Sequence, residues 1–331
     1  MAFGSHQARA GSAEPAAGLF GFTLFTTHLR QTSLKMPSPN TLSGAPLRDL
    51  LDFPEIRRLD EVLAEIAPQR AFSIAYSGGL DSRFLAFSAK RLGFRASLLH
   101  IIGPQIAPDE TAGALKDAEI LGYEPILVPA TSLTLSELAH AGANRCYVCK
   151  HHLFETLMEV ARKSGCEGPV CDGTNTSDLG VYRPGIKALE ELHVYSPLAM
   201  AGISKPRIRE IGRAVGFPNP EQFARPCLLT RFPYGTTPRS DELVAIADAE
   251  LAVATDPFGK NLRFRIRMPA HGDARLHVEA SSIAGVENAG AELERIVALL
   301  RRRFGERLPN LRFEVLEKLS GYYDHLQQPE G

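Results

Sequence analysis

The chain has 331 residues, of which 44% are hydrophobic and 23% charged, and its formal net charge at pH 7 is −1. No apolar run approaches the roughly 20 residues that span a bilayer, so we expect a soluble protein rather than a membrane protein. A net charge this close to zero gives no general attraction to nucleic acid, which favours a small-molecule partner over DNA or RNA.

The N-terminal segment differs from the rest of the chain. Residues 1–48 are rich in Ala, Gly, Ser, Thr and Pro and show little periodicity, so we predict a disordered leader outside the fold. The five cysteines of the chain include one Cys-x-x-Cys pair, which indicates metal or redox chemistry rather than a disulfide framework. Because such thiols stay reduced inside the cell, we expect a cytoplasmic protein.

Residues 49–217 alternate between short apolar runs and helical patterns. The runs predicted as strands are, in chain order, AFSIAY, ASLLHII, EPILVPA, GPVCDG and HVYSPL. The predicted helices lie near residues 83–92, 109–121, 133–141, 150–164 and 204–215, the last with Ser204 as its N-cap. This alternation predicts an α/β fold with a doubly wound parallel sheet and helices on both faces. In such folds ligands bind beyond the carboxyl ends of the strands.

Two further segments complete the predicted organisation. Residues 218–240 contain five prolines and little periodicity, which indicates a long functional loop. Residues 241–331 contain most of a helix near 240–254, three β-like runs (LRFRIRM, ARLHVEA and LRFEVLE) and a helix near 287–304. These elements predict a small C-terminal α+β domain.

The sequence SGGLDS, Ser77–Ser82, joins the first predicted strand to the first predicted helix. Such a turn places backbone N–H groups and two hydroxyls at the positive end of a helix, where they bind an anion. Asp81 either caps the helix or helps to hold Mg²⁺. The turn lacks the Gly-x-x-x-x-Gly-Lys pattern of a Walker A loop. A serine-rich helix start with incidental glycines is the alternative interpretation.

This turn resembles the PP-loop of the ATP pyrophosphatase superfamily, whose members cleave ATP between the α and β phosphates and adenylate a substrate. The resemblance implies a PP-loop fold and an ATP site. The residues that match the motif, and that the resemblance assigns to ATP, are Ser77, Gly78, Gly79, Asp81 and Ser82.

A second candidate nucleotide segment follows a later predicted strand. In CDGTNTSD, Gly173 is the last residue of the predicted strand GPVCDG, and Thr174 and Asn175 follow it directly. Because the carboxyl ends of parallel strands share one edge of the sheet, we expect these three residues to reach the nucleotide. By itself the segment is equally consistent with a β-turn.

Three cysteines are candidate metal ligands. Cys146 and Cys149 lie in NRCYVCK, and Cys227 lies in RPCLLTRFPYG within the proline-rich loop. The paired thiolates have a spacing that suits one metal centre, and three ligands leave one coordination position open. On spacing alone we favour zinc over an iron–sulfur cluster, with His151 or His152 as a fourth ligand. The two cysteines predicted to be packing residues are Cys166 and Cys171.

Several motifs together resemble one family. SGGLDS, NRCYVCK, DGTN, YRPG, SPLAMAGISKPRIREI and RPCLLTRFPYG occur in the order and spacing of the LarE family, the ATP-dependent sulfur transferases of nickel-pincer nucleotide biosynthesis. The resemblance covers most of residues 50–280. The segment after Gly321 departs from the family pattern, as does the region of RMPAHGDARLHVE.

The resemblance implies a two-stage reaction. ATP adenylates a carboxylate of pyridinium-3,5-biscarboxylic acid mononucleotide, pyrophosphate leaves, and sulfur then displaces AMP to give a thiocarboxylate. In some family members the sulfur comes from a cysteine at the position of Cys227, and in others three cysteines hold a [4Fe-4S] cluster. Because Cys146, Cys149 and Cys227 are all present, the resemblance favours the cluster over zinc. In the alternative route, a thiolate of low pKa at Cys227 attacks the acyl-adenylate directly.

The anionic substrate implied by the resemblance needs cationic partners, and arginine suits planar, bidentate recognition of carboxylate and phosphate. The candidate substrate-binding residues are Arg183, Arg231, Arg265, Arg267 and Arg275. The first two lie in the motif loops YRPG and TRFPYG, and the other three lie on predicted strands of the small domain. For each arginine, a solvated surface charge is the alternative.

Two other kinds of function remain open at this point. One is another PP-loop adenylating enzyme, either a tRNA thiolase or an ammonia-dependent ligase of the NAD synthetase type, and the near-neutral charge argues against the thiolase. The other is a non-catalytic sensor of adenine nucleotides, which has no use for three convergent cysteines. The family precedent implies a homo-oligomer that receives sulfide or another sulfur donor.

Overall fold

The computed structural model of the chain describes residues 48–179, 184–270 and 273–325. These residues belong to one compact unit that begins at Leu47. The predicted leader, except for its last residue, lies outside the described part, and so does Arg183. In the described part, no helix is both long enough and apolar enough to cross a membrane.

The first sheet has four parallel strands in the order β3–β2–β1–β4. The strands are β1 (Ala71–Ala75), β2 (Arg95–Ile102), β3 (Ile126–Pro129) and β4 (Val170–Cys171). The helices of this region are α1 (Pro54–Ile66), α2 (Leu80–Arg91), α3 (Pro108–Ile120), α4 (Ser136–His140), α5 (Arg145–Lys163), α6 (Thr176–Leu179), α7 (Pro184–Glu191), α8 (Pro197–Met200) and α9 (Lys205–Val215). The predicted α/β class with a parallel sheet is confirmed.

Helices cover both faces of this sheet. The neighbouring residues Leu98 and Leu99 of β2 are both buried but belong to different cores, because successive side chains of a strand point to opposite faces. The core that contains Leu98 includes apolar residues of α1, α2 and α9. The core that contains Leu99 includes residues of α5 and α7. The sequence pattern therefore identified the layering correctly.

The strand order reverses at β1, which has β2 on one side and β4 on the other. The chain leaves the carboxyl end of β1 through the turn Ser77–Ser82 and leaves the neighbouring β4 through residues 172–175. A reversal of strand order opens a crevice at this edge of a parallel sheet. The two segments predicted to bind the nucleotide therefore lie next to each other.

Two predicted elements differ from the structure. HVYSPL is not a strand: only Tyr195 forms a bridge, to Cys171, and Pro197 already begins α8. The helix predicted near residues 150–164 begins earlier, at Arg145. This earlier start places Cys146 and Cys149 on the first turn of α5, where residues three apart lie on the same side of the helix.

The second sheet lies in the C-terminal part of the chain. Its strands are β5 (Phe264–Ala270), β6 (Asp273–Glu279) and β7 (Arg312–Leu316), with β5 antiparallel and β7 parallel to β6. The helices of this part are α10 (Ser240–Thr255), α11 (Ala289–Phe304) and α12 (Tyr322–His325). Leu138 and Cys149 of the N-terminal half pack into the same core as α10 and α11. The domain boundaries stay a prediction.

Candidate active site

The turn after β1 has the backbone of an anion-binding loop. Gly78 has a φ of 73°, and a Cβ atom there would lie 2.8 Å from the Cα atom of Ala114 on α3, so both the conformation and the space require glycine. Gly79 is the N-cap residue of α2, and its N–H donates to Ser77 Oγ at 3.3 Å. The first N–H groups of α2 have no partner within the helix and are available to an anion.

Two side chains of the turn add polar groups. Ser82 Oγ donates to the carbonyl oxygen of Gly79 at 3.2 Å and lies 3.2 Å from Ser77 Oγ. Asp81 Oδ2 lies 3.1 Å from Lys205 Nζ, whereas Asp81 Oδ1 is buried without a hydrogen-bond partner among the described residues. Burial raises the pKa of Asp81, and Lys205 opposes this effect. An unpartnered carboxylate oxygen beside an anion site fits a ligand of Mg²⁺.

The segment after β4 packs directly against the turn. A Cβ atom on Gly173 would lie 2.8 Å from the backbone nitrogen of Ser82, so glycine allows this close approach. Gly173 and Thr174 line a cavity. Asn175 is fully buried, and its Nδ2 donates to Asp178 Oδ2 at 2.8 Å. The structure therefore places two of these three predicted nucleotide residues at a cavity and the third inside the protein.

Two cavities meet at the turn after β1. Their volumes are about 460 Å³ and about 450 Å³. The residues that line both cavities are Ser77, Asp81, Asp178 and Pro226. The walls of the second cavity include four apolar side chains from β2 and α5, namely Leu99, Ile101, Phe154 and Leu157. Because the cavities share these four residues, ligands bound in each of them would meet at the turn.

Three arginines line the first cavity and have no carboxylate partner among the described residues. They are Arg145, Arg265 and Arg267, and their guanidinium groups donate to main-chain carbonyl oxygens, with one further hydrogen bond from Arg267 to His277. Burial, assisted by repulsion from neighbouring arginines, lowers the pKa values of Arg265 and Arg267 to about 10. Both therefore remain cations at neutral pH. Buried cations without a counter-ion favour an anionic ligand.

Arg231 makes a bidentate ion pair instead of lining a cavity. Its Nε and Nη2 donate to the two carboxylate oxygens of Glu250 at 2.7 and 2.9 Å. Its Nη1 donates to the carbonyl oxygen of Pro226 at 3.2 Å and to Thr230 Oγ1 at 2.8 Å. Four of the five N–H bonds of this guanidinium have protein partners and Arg231 lines neither cavity, so the structure gives Arg231 the role of holding the cysteine-bearing loop to α10.

Arg275, which was also predicted to bind substrate, pairs with carboxylates instead. Arg275 Nε donates to Glu314 Oε1 at 2.8 Å, and Arg275 Nη2 donates to Asp273 Oδ2 at 2.9 Å. Both carboxylates lie on its own sheet, and Arg275 lines neither cavity. Its ion pairs therefore stabilise the sheet. The predicted role of Arg183 falls on a residue outside the described part.

The three predicted cysteine ligands come from α5 and the proline-rich loop. Cys146 is exposed and lines the first cavity, whereas Cys149 is buried and its Sγ accepts a hydrogen bond from Ser132 Oγ at 3.1 Å. Cys227 is exposed and immediately precedes the 3₁₀ helix Leu228–Arg231. Repulsion from Cys146 raises the pKa of both other thiols, so the three thiols lie within electrostatic reach of one another. In the described residues, however, no three His, Cys, Asp or Glu side chains are arranged as metal ligands.

Two of these thiols, those of Cys149 and Cys227, have pKa values above that of an ordinary cysteine. Burial raises the pKa of Cys149 to about 12. Desolvation by the surrounding protein also raises the pKa of Cys227, although Arg145 and Arg231 act in the opposite direction. The raised pKa does not support the direct route through a low-pKa thiolate at Cys227, and that route stays a prediction.

Side-chain hydrogen bonds tie the cysteine-bearing loop to the turn Ser77–Ser82. Gln222 Nε2 donates to the carbonyl oxygen of Gly78 at 3.0 Å. Arg83 of α2 is fully buried and donates to Gln222 Oε1 at 2.7 Å and to the carbonyl oxygen of Pro218 at 2.6 Å. Arg83 also pairs with Asp117 at 3.1 Å. These contacts hold the loop over the carboxyl end of β1.

A second set of contacts ties the same loop to the start of α3. Arg225 lines the first cavity, and its guanidinium lies 2.6 Å from Asp109 Oδ2 and 3.1 Å from Glu110 Oε1. Burial raises the pKa of Glu110 to about 7 in spite of this cation. Two carboxylates compensate the charge of Arg225. Arg225 therefore contributes less to anion binding than the three arginines without carboxylate partners.

Comparisons with known proteins place the chain among relatives. No protein-family model matches it. It is 38% identical over 179 residues to the uncharacterized protein slr1717 of Synechocystis sp., over 54% of this chain and 66% of that protein. It is 30% identical over 193 residues to the uncharacterized protein MJ0830 of Methanocaldococcus jannaschii, over 58% of this chain and 73% of that protein. The chain belongs to the family of the Methanocaldococcus protein.

A more distant relative has a described activity. The chain is 25% identical over 226 residues to the pyridinium-3,5-bisthiocarboxylic acid mononucleotide synthase of Lactiplantibacillus plantarum. The alignment covers 67% of this chain and 79% of the synthase. This homology supports the LarE resemblance of the motifs and does not distinguish a cluster-containing member from one without a cluster.

The C-terminal segment also lines the first cavity, although it lies largely outside the motif resemblance. Residues 320–324 form part of the cavity wall. The carbonyl oxygen of Leu319 accepts hydrogen bonds from Arg265 and Arg267. Tyr323 Oη donates to the main chain of the cysteine-bearing loop at 3.0 Å. The segment therefore closes one side of the cavity and contacts two of its cations.

Several residues of this site were not predicted from the sequence. Arg145 directly precedes Cys146 in the motif NRCYVCK, and this position was the available signal. Gln222 lies in the proline-rich loop, but nothing in the local sequence indicates its bond to Gly78. Tyr322 of the C-terminal segment had no motif to identify it.

Proposed function

We propose that this protein is an ATP-dependent sulfur transferase that adenylates a carboxylate of pyridinium-3,5-biscarboxylic acid mononucleotide and converts it to a thiocarboxylate. The observation that carries the proposal is the lining of both cavities by Ser77 and Asp81 of the anion-binding turn. Adenylation requires the α-phosphorus of ATP and the attacking carboxylate to be held together at one point. Homology to the Lactiplantibacillus synthase supports the choice of substrate.

The second cavity suits ATP. Its apolar side chains from β2 and α5 offer a surface for the adenine ring. The phosphates would lie at the start of α2, where free N–H groups and the helix dipole favour negative charge. Asp81 would hold Mg²⁺, which neutralises the phosphates as pyrophosphate leaves. ATP and Mg²⁺ are thus the proposed cofactors of this cavity.

The first cavity suits the anionic mononucleotide. A carboxylate oxygen of this substrate attacks the α-phosphorus, the bond between that phosphorus and the bridging oxygen breaks, and pyrophosphate leaves with the electron pair. Arg145, Arg265 and Arg267 would bind the negative groups of the substrate. The products of this step are pyrophosphate and an acyl-adenylate, in which AMP is a good leaving group.

Sulfur then replaces AMP. Sulfide attacks the acyl carbon, the bond from this carbon to the AMP oxygen breaks, and the thiocarboxylate forms. Cys146, Cys149 and Cys227 would hold the proposed [4Fe-4S] cluster, which would supply an open iron position for an added sulfide. The donor set, three thiols within electrostatic reach of one another of which Cys146 lines the first cavity, supports this proposal, although in the described residues the thiols are not arranged as ligands of one metal. Holding the cluster would require Cys149 to lose its thiol proton, and its Sγ could keep the hydrogen bond that it accepts from Ser132.

The adenylation half of the proposal is tested by replacing Arg265 with methionine. We expect the KM for the mononucleotide in ATP–pyrophosphate exchange to rise about tenfold or more, because a partly buried cation of the cavity is lost. Exchange needs no sulfur, so the assay is independent of any cluster. The matched control is Arg263→Met, because Arg263 precedes the same strand but is exposed and pairs with Glu279 at 3.3 Å. Wild-type protein that shows no mononucleotide-dependent exchange would contradict the proposal.

The sulfur half is tested by anaerobic purification with metal and sulfide analysis. We expect about four iron atoms and about four acid-labile sulfides per chain. Cys149→Ala should lose both, whereas Cys166→Ala should retain both, because Cys166 packs against a different core from Cys149. Zinc without iron would overturn the cluster and leave the adenylation proposal intact.

A further inference from the structure

A buried histidine lies between one cavity arginine and a glutamate of the second sheet. His277 of β6 is fully buried and pairs across the sheet with Arg265 of β5 and Glu314 of β7. Its Nδ1 lies 2.6 Å from Arg267 Nη1, and its Nε2 lies 3.3 Å from Glu314 Oε2. The side chains of Glu314, His277 and Arg267 thus form a chain from the outer strand of the sheet to the cavity.

The chemistry of the partners determines the tautomer of this histidine. A guanidinium group can only donate hydrogen bonds, so Nδ1 of His277 must accept, and the proton must be on Nε2. Glu314 Oε2 is the carboxylate oxygen 3.3 Å from Nε2, and the other oxygen of Glu314 accepts from Arg275. Burial and the neighbouring arginines lower the pKa of His277 to about 4, despite the opposing effect of Glu314. His277 is therefore neutral at physiological pH.

Arg267 depends on His277 for its orientation. The Arg267 side chain is 1% exposed, and its Nη1 and Nη2 are used by His277 and by the carbonyl oxygen of Leu319. Its Nε is buried without a hydrogen-bond partner among the described residues. Two hydrogen bonds to different atoms fix the plane of the guanidinium. Without Nδ1 of His277, only the Leu319 carbonyl would hold it.

A neutral acceptor also preserves the charge of the arginine. A carboxylate at this place would form an ion pair with Arg267 and compete with an anionic ligand. A neutral imidazole accepts the hydrogen bond but leaves the positive charge uncompensated. Arg267 consequently stays oriented and charged at the same time.

We propose that His277 is a positioning residue, which holds Arg267 in the orientation that binds an anionic group of the substrate in the first cavity. This inference rests on the proposed function, which assigns the mononucleotide to that cavity. His277 does not line the cavity, so it acts through Arg267 rather than through contact with the substrate.

The test uses two polar replacements that differ in where they place an acceptor. In the variant His277→Asn, the amide oxygen Oδ1 takes the position of Nδ1, whereas His277→Gln places its Oε1 at the position of Nε2. In ATP–pyrophosphate exchange, His277→Gln is expected to raise the KM for pyridinium-3,5-biscarboxylic acid mononucleotide about tenfold with kcat within about twofold. His277→Asn should keep the KM within about twofold of wild type, because it retains the acceptor that Arg267 needs.

A double-variant comparison separates positioning from a general structural role. In an Arg267→Met background, His277→Gln should raise the KM no further, because the residue through which it acts is already absent. Additive effects of the two changes would overturn the proposal, and so would a wild-type KM in His277→Gln. The proposal would also be overturned if both His277→Asn and His277→Gln lost kcat and the folded state. That result would assign His277 a role in folding. Failure of the proposed function gives a different result, namely a wild type without mononucleotide-dependent exchange.

Discussion

Replacing Cys227 with alanine is expected to leave mononucleotide-dependent ATP–pyrophosphate exchange within about twofold of wild type and to lower thiocarboxylate formation at least about a thousandfold. The reason is the separation of the two half-reactions in the site. The residues proposed for adenylation belong to the turn after β1 and to the cavity arginines, whereas Cys227 belongs to the loop that covers them. Exchange reports the first half-reaction, and mass spectrometry of the product reports the second.

This experiment also distinguishes the three classes of function that the sequence left open. Cys166→Ala is the control, and it should retain both half-reactions because Cys166 lines neither cavity. Full thiocarboxylate formation by Cys227→Ala would contradict the role of this thiol. Binding of ATP without exchange, in wild type and variant alike, would favour a nucleotide sensor. ATP–pyrophosphate exchange that depends on a substrate other than the mononucleotide would favour another PP-loop adenylating enzyme.

Replacing Glu250 with glutamine is expected to lower the free energy of unfolding by about 3–5 kcal/mol. Glu250 is 4% exposed and receives two hydrogen bonds from Arg231 and one from the backbone N–H of Ile266 at 2.9 Å. The glutamine side chain keeps the size but leaves the Arg231 cation buried without a counter-ion. Urea unfolding, followed by circular dichroism, measures the change.

Two variants make this result specific to the buried ion pair. Asp241→Asn removes a carboxylate of the exposed pair with Arg239 and should leave the unfolding midpoint unchanged, because solvent screens such a pair. Arg231→Met combined with Glu250→Leu should be more stable than Glu250→Gln, since it removes both charges together. Equal stability of Glu250→Gln and wild type would contradict the assignment of Arg231 as the anchor of the loop.

Local patterns were sufficient to predict most of the parallel sheet. Buried strands such as AFSIAY and ASLLHII are short apolar runs between helices, and this arrangement has few solutions other than a doubly wound sheet. HVYSPL was misjudged because its apolar residues pack from a loop and from α8, and an apolar run does not reveal whether its backbone pairs. The early start of α5 at Arg145 was missed because the cysteine motif has no helical periodicity of its own.

The sequence by itself determined the nature of the turn Ser77–Ser82 and the set of three thiols, because both depend on residue types at short spacings. Only the tertiary structure decided which arginines are available to a ligand. Arg231 and Arg275 are neutralised by Glu250 and Glu314, whereas Arg265 and Arg267 meet no carboxylate in the described part of the chain.

The physical reason is the distance along the chain between each arginine and the groups that surround it. Arg231 and Glu250 are 19 residues apart, and Arg275 and Glu314 are 39 apart. Likewise, Arg267 meets the Leu319 carbonyl 52 residues later. Folding brings these groups together, and the free energy of a buried charge depends on such neighbours rather than on its own sequence context.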